Sequence, residues 1–265
     1  MPADILKRIV AARRDRLGLA QAPQAPPLLT ERFSSPAAAE SNSFVEALRR
    51  RLGSAVIAEV KMGSPRLGSL AGRFDPERLA ATYAASGAAA LSVVVEPDFF
   101  FGSYELLARC KAASGLPAIA KDFLVSESQL DAAVVSGADA FLLIAALFSA
   151  GELAGWAAAV RSRGMAPLVE THDADDLAKV AEAGEGGWEM VGINNRDLRT
   201  FDVSLDASIA LRAQVPAGAL AVAESGMGSA ADVARLRDAG FDAFLIGETL
   251  LLAENPATKL AELLA

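Results

Sequence analysis

The sequence predicts an α/β protein, a single (β/α)8 TIM barrel with extra N-terminal helices preceding the first strand. Short apolar runs typical of buried strands alternate eight times with patterns typical of helices. This alternation indicates parallel strands joined by right-handed crossovers. Eight such units in about 200 residues match the size of a closed barrel. The alternative is a doubly wound open sheet, but no G-x-G-x-x-G pattern follows the first strand, which makes that fold the less favoured one.

Two helices are predicted before the barrel begins. Residues 4–17 carry apolar residues at helical spacing, with Lys and Arg between them. Ser41-Asn42-Ser43 supplies an N-cap for a second helix over residues 44–52. Residues 21–36 are rich in Pro, Ala and Gln and are predicted to connect the two helices across the surface. We expect residues 1–265 to form a single barrel domain, on which residues 1–53 pack as an N-terminal helical extension.

The barrel itself is predicted from residue 56 onward. The strand-like runs cover residues 56–61, 90–95, 118–121, 140–144, 166–170, 190–193, 220–224 and 243–246. The helical patterns cover residues 76–85, 104–113, 127–136, 152–163, 174–183, 204–214, 230–238 and 256–264. Several of these helices end at a glycine that can adopt a left-handed C-cap: Gly87, Gly137, Gly164, Gly184 and Gly240.

Composition narrows the class of protein. A hydrophobic content of 52% with 22% charged residues is typical of a globular chain with an ample core. The formal net charge of −8 argues against a general nucleic-acid binder, because such binders depend on Lys and Arg at phosphates. No signal sequence and no apolar run of membrane-spanning length is found, so we expect a cytoplasmic protein without a membrane partner. Cys110 and His172 are single, so they cannot build a Cys/His zinc site.

Charged side chains cluster where the predicted strands end. By the period-two rule, Glu59, Lys61, Lys121, Glu170 and Glu224 can all face the barrel interior. One charged residue at a strand end is usually a solvated boundary or a simple ion pair. Five of them on four strands with compatible parity favour an active site, because active sites are built at the carboxyl-terminal mouth of such barrels.

Lysine and glutamate side chains would carry out proton transfer at this mouth. His172 is the only histidine, and we expect it to cap or orient a neighbour locally rather than to serve as a ligand. A Ser-His-Asp arrangement could be built only through His172, and no nucleophile-elbow pattern supports one. Burial and neighbouring charges can move the pKa values of Lys and Glu toward 7, where they act as acids and bases.

Small residues at the same end of three strands predict a phosphate site. They occur at 63–65 and 68 after the first strand, at 225–228 after the seventh and at 247 after the eighth. Backbone N–H groups can approach an anion closely at such positions, and the loops after strands seven and eight are the usual phosphate site of these barrels. A phosphorylated small-molecule substrate is therefore expected.

The residues of several motifs, and the order of these motifs along the chain, resemble those of one enzyme family. The motifs are Ile57-Ala58-Glu59-Val60-Lys61 with Ser64-Pro65, Lys121-Asp122-Phe123, Leu168-Val169-Glu170, Gly192-Ile193-Asn194-Asn195-Arg196-Asp197-Leu198, Glu224-Ser225-Gly226 and Leu245-Ile246-Gly247-Glu248. Together they resemble the indole-3-glycerol-phosphate synthase family of tryptophan biosynthesis, a carbon–carbon lyase of the carboxy-lyase type. The resemblance runs over essentially the whole chain.

The resemblance implies a reaction and a catalytic set. The substrate would be 1-(2-carboxyphenylamino)-1-deoxyribulose 5-phosphate, which closes a ring and loses carbon dioxide and water. Lys121 would be the general acid, Lys61 would hold the aryl carboxylate, and Glu170 would be the general base. Glu59 with Asn194 would position the leaving hydroxyl and the lysines. The last member of the set, Glu224, would orient Lys121 or the sugar hydroxyls.

The resemblance also implies binding residues and partners. The substrate-binding set is Ser64, Phe123, Arg196, Ser225, Gly226, Gly247 and Glu248, with Arg196 on the substrate carboxylate and Glu248 on the phosphate through its backbone. No metal, pyridoxal or nicotinamide cofactor is expected. We expect a monomer that makes at most transient contacts with other tryptophan-pathway enzymes.

Some features leave other functions open. Met62, Leu67, Val95 and Phe101 depart from the usual family pattern beside the site, which bears on loop behaviour and substrate affinity. A Schiff-base aldolase-type lyase, or another phosphosugar barrel enzyme, is the alternative function, because a buried lysine at a strand end suits that chemistry too.

Overall fold

The computed structural model describes residues 5–19, 42–184, 187–196 and 202–265, and it confirms the closed barrel. Each of the eight parallel strands hydrogen-bonds two neighbours, and β1 closes the ring by pairing with both β4 and β10. The barrel strands are β1 Ala55–Val60, β4 Ala90–Val94, β5 Ala118–Lys121, β6 Ala140–Ile144, β7 Ala166–Thr171, β8 Met190–Asn194, β9 Leu220–Glu224 and β10 Ala243–Ile246. Every predicted strand agrees with these bounds to within one residue at each end.

The helices also follow the predicted order. They are α1 Ile5–Arg16, α2 Ser43–Arg49, α3 Pro76–Ala85, α4 Tyr104–Ser114, α5 Glu127–Val135, α6 Ala150–Ser162, α7 Ala174–Ala183, α8 Leu205–Leu211, α9 Ala230–Asp238, α10 Glu248–Leu251 and α11 Pro256–Leu264. The predicted connector over residues 21–36 and the capping candidate Ser41 lie outside the described residues. Asn42 does cap α2, since its side chain accepts hydrogen bonds from the backbone N–H groups of Phe44 and Val45.

Five short elements were not predicted. They are an antiparallel pair, β2 Gly63–Ser64 with β3 Gly68–Ser69, the helix α10, and 3-10 turns at Ala145–Leu147 and Arg212–Gln214. Elements of two to four residues are too short to show a periodic pattern. The last of them splits the predicted helix 204–214 into α8 and a 3-10 turn.

Side-chain parity in the strands is as predicted. Ile57, Ile119, Leu168 and Val222 belong to one buried apolar cluster, which fills the barrel interior. Val56, Ala58 and Val60 of β1 belong to a second cluster, which lies between the sheet and the surrounding helices. Because successive strand residues point to opposite faces, Glu59 follows Ile57 into the interior.

The two N-terminal helices pack on opposite ends of the barrel. Helix α2 buries Phe44, Val45 and Leu48 completely in the interior cluster, and its cap residue Asn42 donates to the carbonyls of Asp139 and Gly164, which precede β6 and β7. It therefore closes the amino-terminal end. Helix α1 lies at the other end, where Arg13 donates two hydrogen bonds of 3.1 and 2.6 Å to Asp122, just after β5.

Four of the five predicted glycine C-caps adopt the left-handed conformation. The backbone φ is 97° at Gly87, 80° at Gly137, 78° at Gly164 and 93° at Gly240. The prediction for Gly184 is wrong, since its φ is −98°. A Cβ at Gly184 would overlap the indole nitrogen of Trp188, so packing rather than backbone conformation explains this glycine.

Candidate active site

Five barrel strands bring polar side chains to one mouth. Glu59, Lys121, Glu170, Asn194 and Glu224 each lie at or next to the carboxyl end of a strand. The strands are parallel and closed into a ring, so these ends meet above the interior cluster. Asn194 of β8 lies directly beside Glu224 of β9 in the register. The side chains that the sequence predicts to converge do converge.

Lys121 lies among three carboxylates. Its Nζ is 2.9 Å from Glu224 Oε2, to which it donates a hydrogen bond, and 3.2 Å from Glu170 Oε2, within ion-pair distance. Burial disfavours the ammonium, but the charges of Glu224, Glu170 and Glu59 outweigh burial and raise the pKa of Lys121 above its usual value. Lys121 is therefore a protonated acid at neutral pH.

Lys61 makes a simpler pair. Its Nζ donates a 2.8 Å hydrogen bond to Glu59 Oε1, and both side chains are largely buried. Burial alone would raise the pKa of Glu59, but the charges of Lys61 and Lys121 lower it below its ordinary value. Glu59 is thus an ionised carboxylate between the two lysines.

Glu170 and Glu224 have opposite proton affinities although both are buried. Burial raises the pKa of Glu224 to about 8; the nearby charge of Glu170 adds to this effect and Lys121 opposes it. For Glu170, burial is outweighed by Lys121 and His172, which hold its pKa well below the usual range. One oxygen of each, Glu170 Oε2 and Glu224 Oε1, has no hydrogen-bond partner among the described residues. Two carboxyl groups with separated pKa values are typical of an acid–base site.

Two glycines make room for these carboxylates. A Cβ at Gly192 in β8 would overlap Glu224 Oε1, and a Cβ at Gly247 after β10 would overlap Glu59 Oε1. Sequence reasoning gave Gly247 a phosphate role and left Gly192 without one. A glycine inside an apolar strand often marks such a close approach, and this signal was present in the sequence.

A cavity opens above Lys121. Ten of the predicted site residues line it: Glu59, Lys61, Ser64, Lys121, Phe123, Arg196, Ser225, Gly226, Gly247 and Glu248. The other three, Glu170, Asn194 and Glu224, lie behind Lys121; Asn194 Nδ2 donates a 3.1 Å hydrogen bond to Glu170 Oε1. The structure therefore separates a lining group from a supporting group.

The sequence did not reveal several lining residues. Helix α1 contributes Ile5, Leu6 and Ile9 as an apolar wall of the cavity. Phe100 also lines it and stacks on Phe123, with ring centroids 5.9 Å apart. Helical spacing showed that α1 has an apolar face, but nothing local in the sequence specified that this face covers the mouth.

The docking of α1 depends on a buried cluster around Asp122. Besides the two bonds from Arg13, its carboxylate accepts hydrogen bonds of 2.8 Å each from Tyr104 Oη and Gln129 Nε2. Arg13 is 5% exposed. Asp122 follows Lys121 directly, so this cluster fixes α1 against the strand that carries the central lysine.

The predicted phosphate loops lie together at one side of the cavity. Ser225 and Gly226 after β9 both have positive φ, 65° and 80°, and Gly247 precedes the short helix α10. The carboxylate of Glu248 forms an ion pair with Arg66 and lies 3.6 Å from Arg196 Nη2. Asp197 and Leu198, which belong to the predicted motif, lie outside the described residues.

The described residues contain neither a helix suited to crossing a membrane nor a cluster suited to a metal ion. No helix there is both long and apolar enough to span a membrane. In the same ranges no cluster of three or more His, Cys, Asp or Glu side chains has a geometry suited to a metal ion.

Comparison with solved structures shows the same fold at low sequence identity. A 3-hexulose-6-phosphate synthase superposes with a TM-score of 0.61 and 16% identity, covering 79% of this chain and 98% of that one. A thiamine phosphate pyrophosphorylase from Pyrococcus furiosus superposes with a TM-score of 0.57 and 14% identity, covering 81% and 95% of the two chains. These similarities support the barrel and nothing more specific.

Comparison of sequences is more specific. The family model described as indole-3-glycerol phosphate synthase matches residues 6–263. An indole-3-glycerol phosphate synthase of Polaromonas sp. is 42% identical over 264 residues, covering 98% of each chain. The enzyme of that name from Albidiferax ferrireducens is 41% identical, covering 99% of this chain and 98% of its own length. Motifs, barrel and full-length similarity agree, and this chain belongs to the indole-3-glycerol phosphate synthase family.

Proposed function

We propose that the chain converts 1-(2-carboxyphenylamino)-1-deoxyribulose 5-phosphate to indole-3-glycerol phosphate, with loss of carbon dioxide and water. One observation carries the proposal: a protonated lysine, Lys121, faces a cavity and is held from behind by Glu170 and Glu224. Ring closure needs such a fixed acid, because the attacked ketone oxygen must gain a proton as the carbon–carbon bond forms. The family membership supplies the substrate.

The first step uses Lys121 as the acid. The anilino nitrogen of the substrate pushes electrons into its ring, the aryl carbon attacks the ketone carbon, and the ketone oxygen takes a proton from Lys121. Glu224, at 2.9 Å from Nζ, and Glu170 aim the ammonium and favour its protonated form. Held in this way, the acid needs no reorganisation at the moment of reaction.

The second step releases carbon dioxide from the carbon that has just formed the new bond. Lys61 and Arg196 line the cavity and can hold the aryl carboxylate until then. Phe100 and Phe123 give the aryl ring a flat apolar wall. An ion pair on one side and stacking on the other would bend the flexible substrate into its reactive conformation.

The third step removes the new hydroxyl group as water. We assign to Lys61 the proton that the departing hydroxyl needs, and to Glu170, which is ionised, the role of general base for the proton that the ring methylene must lose. Glu170 lies behind Lys121, so it acts through the amine that the first step leaves on Lys121. Glu59 and Asn194 position the hydroxyl and the lysines. Ser64, Ser225, Gly226, Gly247 and Glu248 would hold the phosphate, the last through its backbone. Each turnover consumes one proton, because the carboxylate leaves as neutral carbon dioxide, and solvent returns that proton to the lysines after the product has left.

We also propose that residues 1–53 and the barrel act as one domain, and that the protein works as a cytoplasmic monomer with at most transient contacts to other tryptophan-pathway enzymes. The buried Arg13–Asp122 pair and the burial of Phe44 in the barrel support the single domain. Size-exclusion chromatography with light scattering would test the monomer, and a dimer peak would refute it.

The direct test is an assay with the synthetic substrate. Product is followed by the fluorescence of the indole ring, and carbon dioxide release is measured in the same reaction. Equal amounts of both are expected. Substrate that stays unchanged in the presence of folded protein would refute the proposed function.

A Schiff-base lyase is the remaining enzymatic alternative, and the geometry disfavours it. Schiff-base formation needs a neutral amine, whereas three carboxylates keep Lys121 protonated. Borohydride reduction in the presence of a keto-sugar phosphate decides between the two. No adduct is expected, and a covalent adduct at Lys121 would overturn its role as a general acid.

A further inference from the structure

His172, the only histidine of the chain, lies between two carboxylates. It follows β7 and precedes α7, and its side chain is 11% exposed. Its Nε2 is 3.1 Å from Glu170 Oε1, and its Nδ1 is 3.5 Å from Asp176 Oδ2. Asp176 Oδ2 also accepts a 3.1 Å hydrogen bond from the backbone N–H of His172. Both ring nitrogens therefore lie within ion-pair distance of a carboxylate oxygen, although neither makes a well-aligned hydrogen bond among the described residues.

This arrangement favours the charged form of the ring, because two carboxylates lie close to it. A neutral imidazole carries one N–H and one bare lone pair, so one of its nitrogens would face a carboxylate oxygen lone pair to lone pair. Only the imidazolium presents a proton toward both neighbours. Electrostatics agrees: burial disfavours the charge, but Asp176 and Glu170 outweigh burial and raise the pKa of His172 to about 10.

The outer carboxylate is itself fixed. Lys179 Nζ lies 2.8 Å from Asp176 Oδ1 and donates a 3.0 Å hydrogen bond to the carbonyl of Ala145. The backbone N–H of Asp176 donates to Asp173 Oδ1, the cap of α7, at 2.9 Å. Asp176 is thus a rigid anchor on the first turn of α7, and it holds the ring against Glu170.

The charges around Glu170 indicate a role for the imidazole ring of His172. Lys61 pairs with Glu59, and Lys121 donates its hydrogen bond to Glu224 and reaches Glu170 only at ion-pair distance. A buried charge without a partner is costly and usually takes up or loses a proton instead. A third cation beside Glu170 removes that pressure from the carboxylate that must stay ionised to act as a base.

We propose that His172 is a positioning residue: anchored by Asp176 as an imidazolium, it keeps Glu170 ionised and aimed at Lys121. The role rests on the proposed function, because it concerns the base of that reaction. Among the described residues, the charged groups that face His172 are Glu170 on the preceding strand β7, Asp176 and Lys179 on α7 and, through Glu170, Lys121 on β5. The 3-10 turn at Ala145–Leu147, which packs on α7, contributes a backbone carbonyl only.

The first test measures the titration of the His172 ring by NMR. Because the chain has one histidine, untagged protein gives a single imidazole signal in NMR spectra, which is followed from pH 5.5 to 10. We expect a midpoint above pH 9. Glu170→Gln and Asp176→Asn should each lower the midpoint by about one unit or more, since each removes an adjacent negative charge. The matched control is Asp175→Asn, which removes an exposed charge from the same turn and should leave the midpoint unchanged.

The second test measures kcat, KM and the pH profile of kcat in a variant. His172→Gln keeps a hydrogen-bond donor but removes the charge, and we expect kcat to fall about tenfold with KM within about twofold. The acid limb of the kcat profile should move to higher pH, because Glu170 without its imidazolium binds a proton more tightly. A ring that only fills space would leave this limb in place. Melting temperatures of the variant and the parent protein are compared in the same buffers.

The outcomes separate the two proposals. A midpoint near the ordinary value of about 6.5 in the parent protein would refute the role of His172, whatever the activity. An unchanged kcat and acid limb in folded His172→Gln would refute it too. Failure to convert the substrate, together with a midpoint above pH 9, would refute the proposed function while leaving the anchored imidazolium established.

Discussion

The two ends of the barrel use the same kinds of charged residue to different effect. At the amino end, both oxygens of Asp139 are hydrogen-bonded: Ser43 Oγ at 2.7 Å, Lys111 Nζ at 2.6 Å and the backbone N–H of Ala118 at 2.8 Å. Asp242 likewise accepts the backbone N–H of Ala221 at 2.8 Å. At the carboxyl end, the described part of the chain leaves Glu170 Oε2 and Glu224 Oε1 without a hydrogen bond.

This difference shows which end of the barrel contributes to the stability of the fold and which end forms the candidate active site. Carboxylates at the amino end join strands to the helices and to α2, and they find their hydrogen-bond partners within the protein. Carboxylates at the carboxyl end are crowded, share one ammonium and keep capacity for a further partner. Unsatisfied buried carboxylate oxygens are costly, and among the described residues they occur only in Glu170 and Glu224 at the mouth, as expected of a binding site.

The largest effect should come from removing the central ammonium. We expect Lys121→Ala to lower kcat by about 10²–10⁴-fold with KM changed little, because a general acid typically contributes that factor. The measurement is steady-state turnover of the synthetic substrate.

The matched control for this variant lies at the amino end. Lys111 pairs with Asp139 as closely as Lys121 pairs with Glu224, at 2.6 against 2.9 Å. Lys111→Ala should lower the melting temperature and leave kcat unchanged. Equal losses of kcat in the two variants would mean that position at the mouth is not what distinguishes Lys121.

A smaller effect should follow from breaking the network at the amino end. We expect Asp139→Ala to lower the free energy of unfolding by about 2–3 kcal/mol, since it leaves a partly buried backbone N–H and a lysine without their acceptor. Urea unfolding followed by circular dichroism measures it, and kcat should not change.

Asp131 supplies the control for this loss of stability. Like Asp139, it pairs with a cation, here Arg163 at 2.8 Å, but the side chain of Asp131 is 64% exposed. Asp131→Ala should therefore cost less than about 1 kcal/mol. If both substitutions cost the same, burial of the carboxylate is not the source of its contribution.

The sequence predicted the inward parity of Glu59, Lys121, Glu170 and Glu224 because a strand has a fixed period of two. It also predicted where each strand ends and which glycines cap four of the helices, since turns and caps are local signals. It did not predict that Arg13 would pair with Asp122, 109 residues away, because neither residue carries a local mark of the other. The position of α1 over the mouth depends on that pair, so the apolar wall of the cavity went unpredicted as well.

The smallest expected effect concerns Glu224 and sharpens the comparison most directly. Its folded-state pKa is about 8 against an ordinary value of 4.5, so between these values the folded state holds a proton that the unfolded state has released. Stability must then fall as pH rises through this window. Glu224→Gln removes that proton, and the advantage of the parent protein over the variant should shrink by about 1 kcal/mol from pH 5 to 8.

This change in stability lies well under the limit of about 1.4 kcal/mol per pH unit, because Glu170 and Glu224 share Lys121 and titrate as a pair. The pKa of Glu170 is shifted downward, so its own titration falls below this window, and the contribution of His172 is common to both proteins and cancels. Urea unfolding at pH 5, 6, 7 and 8 gives the difference directly. A difference that stays constant across these four values would mean that Glu224 is ionised throughout, as satisfied carboxylates at the amino end would be, and the contrast between the two ends would lose its electrostatic basis.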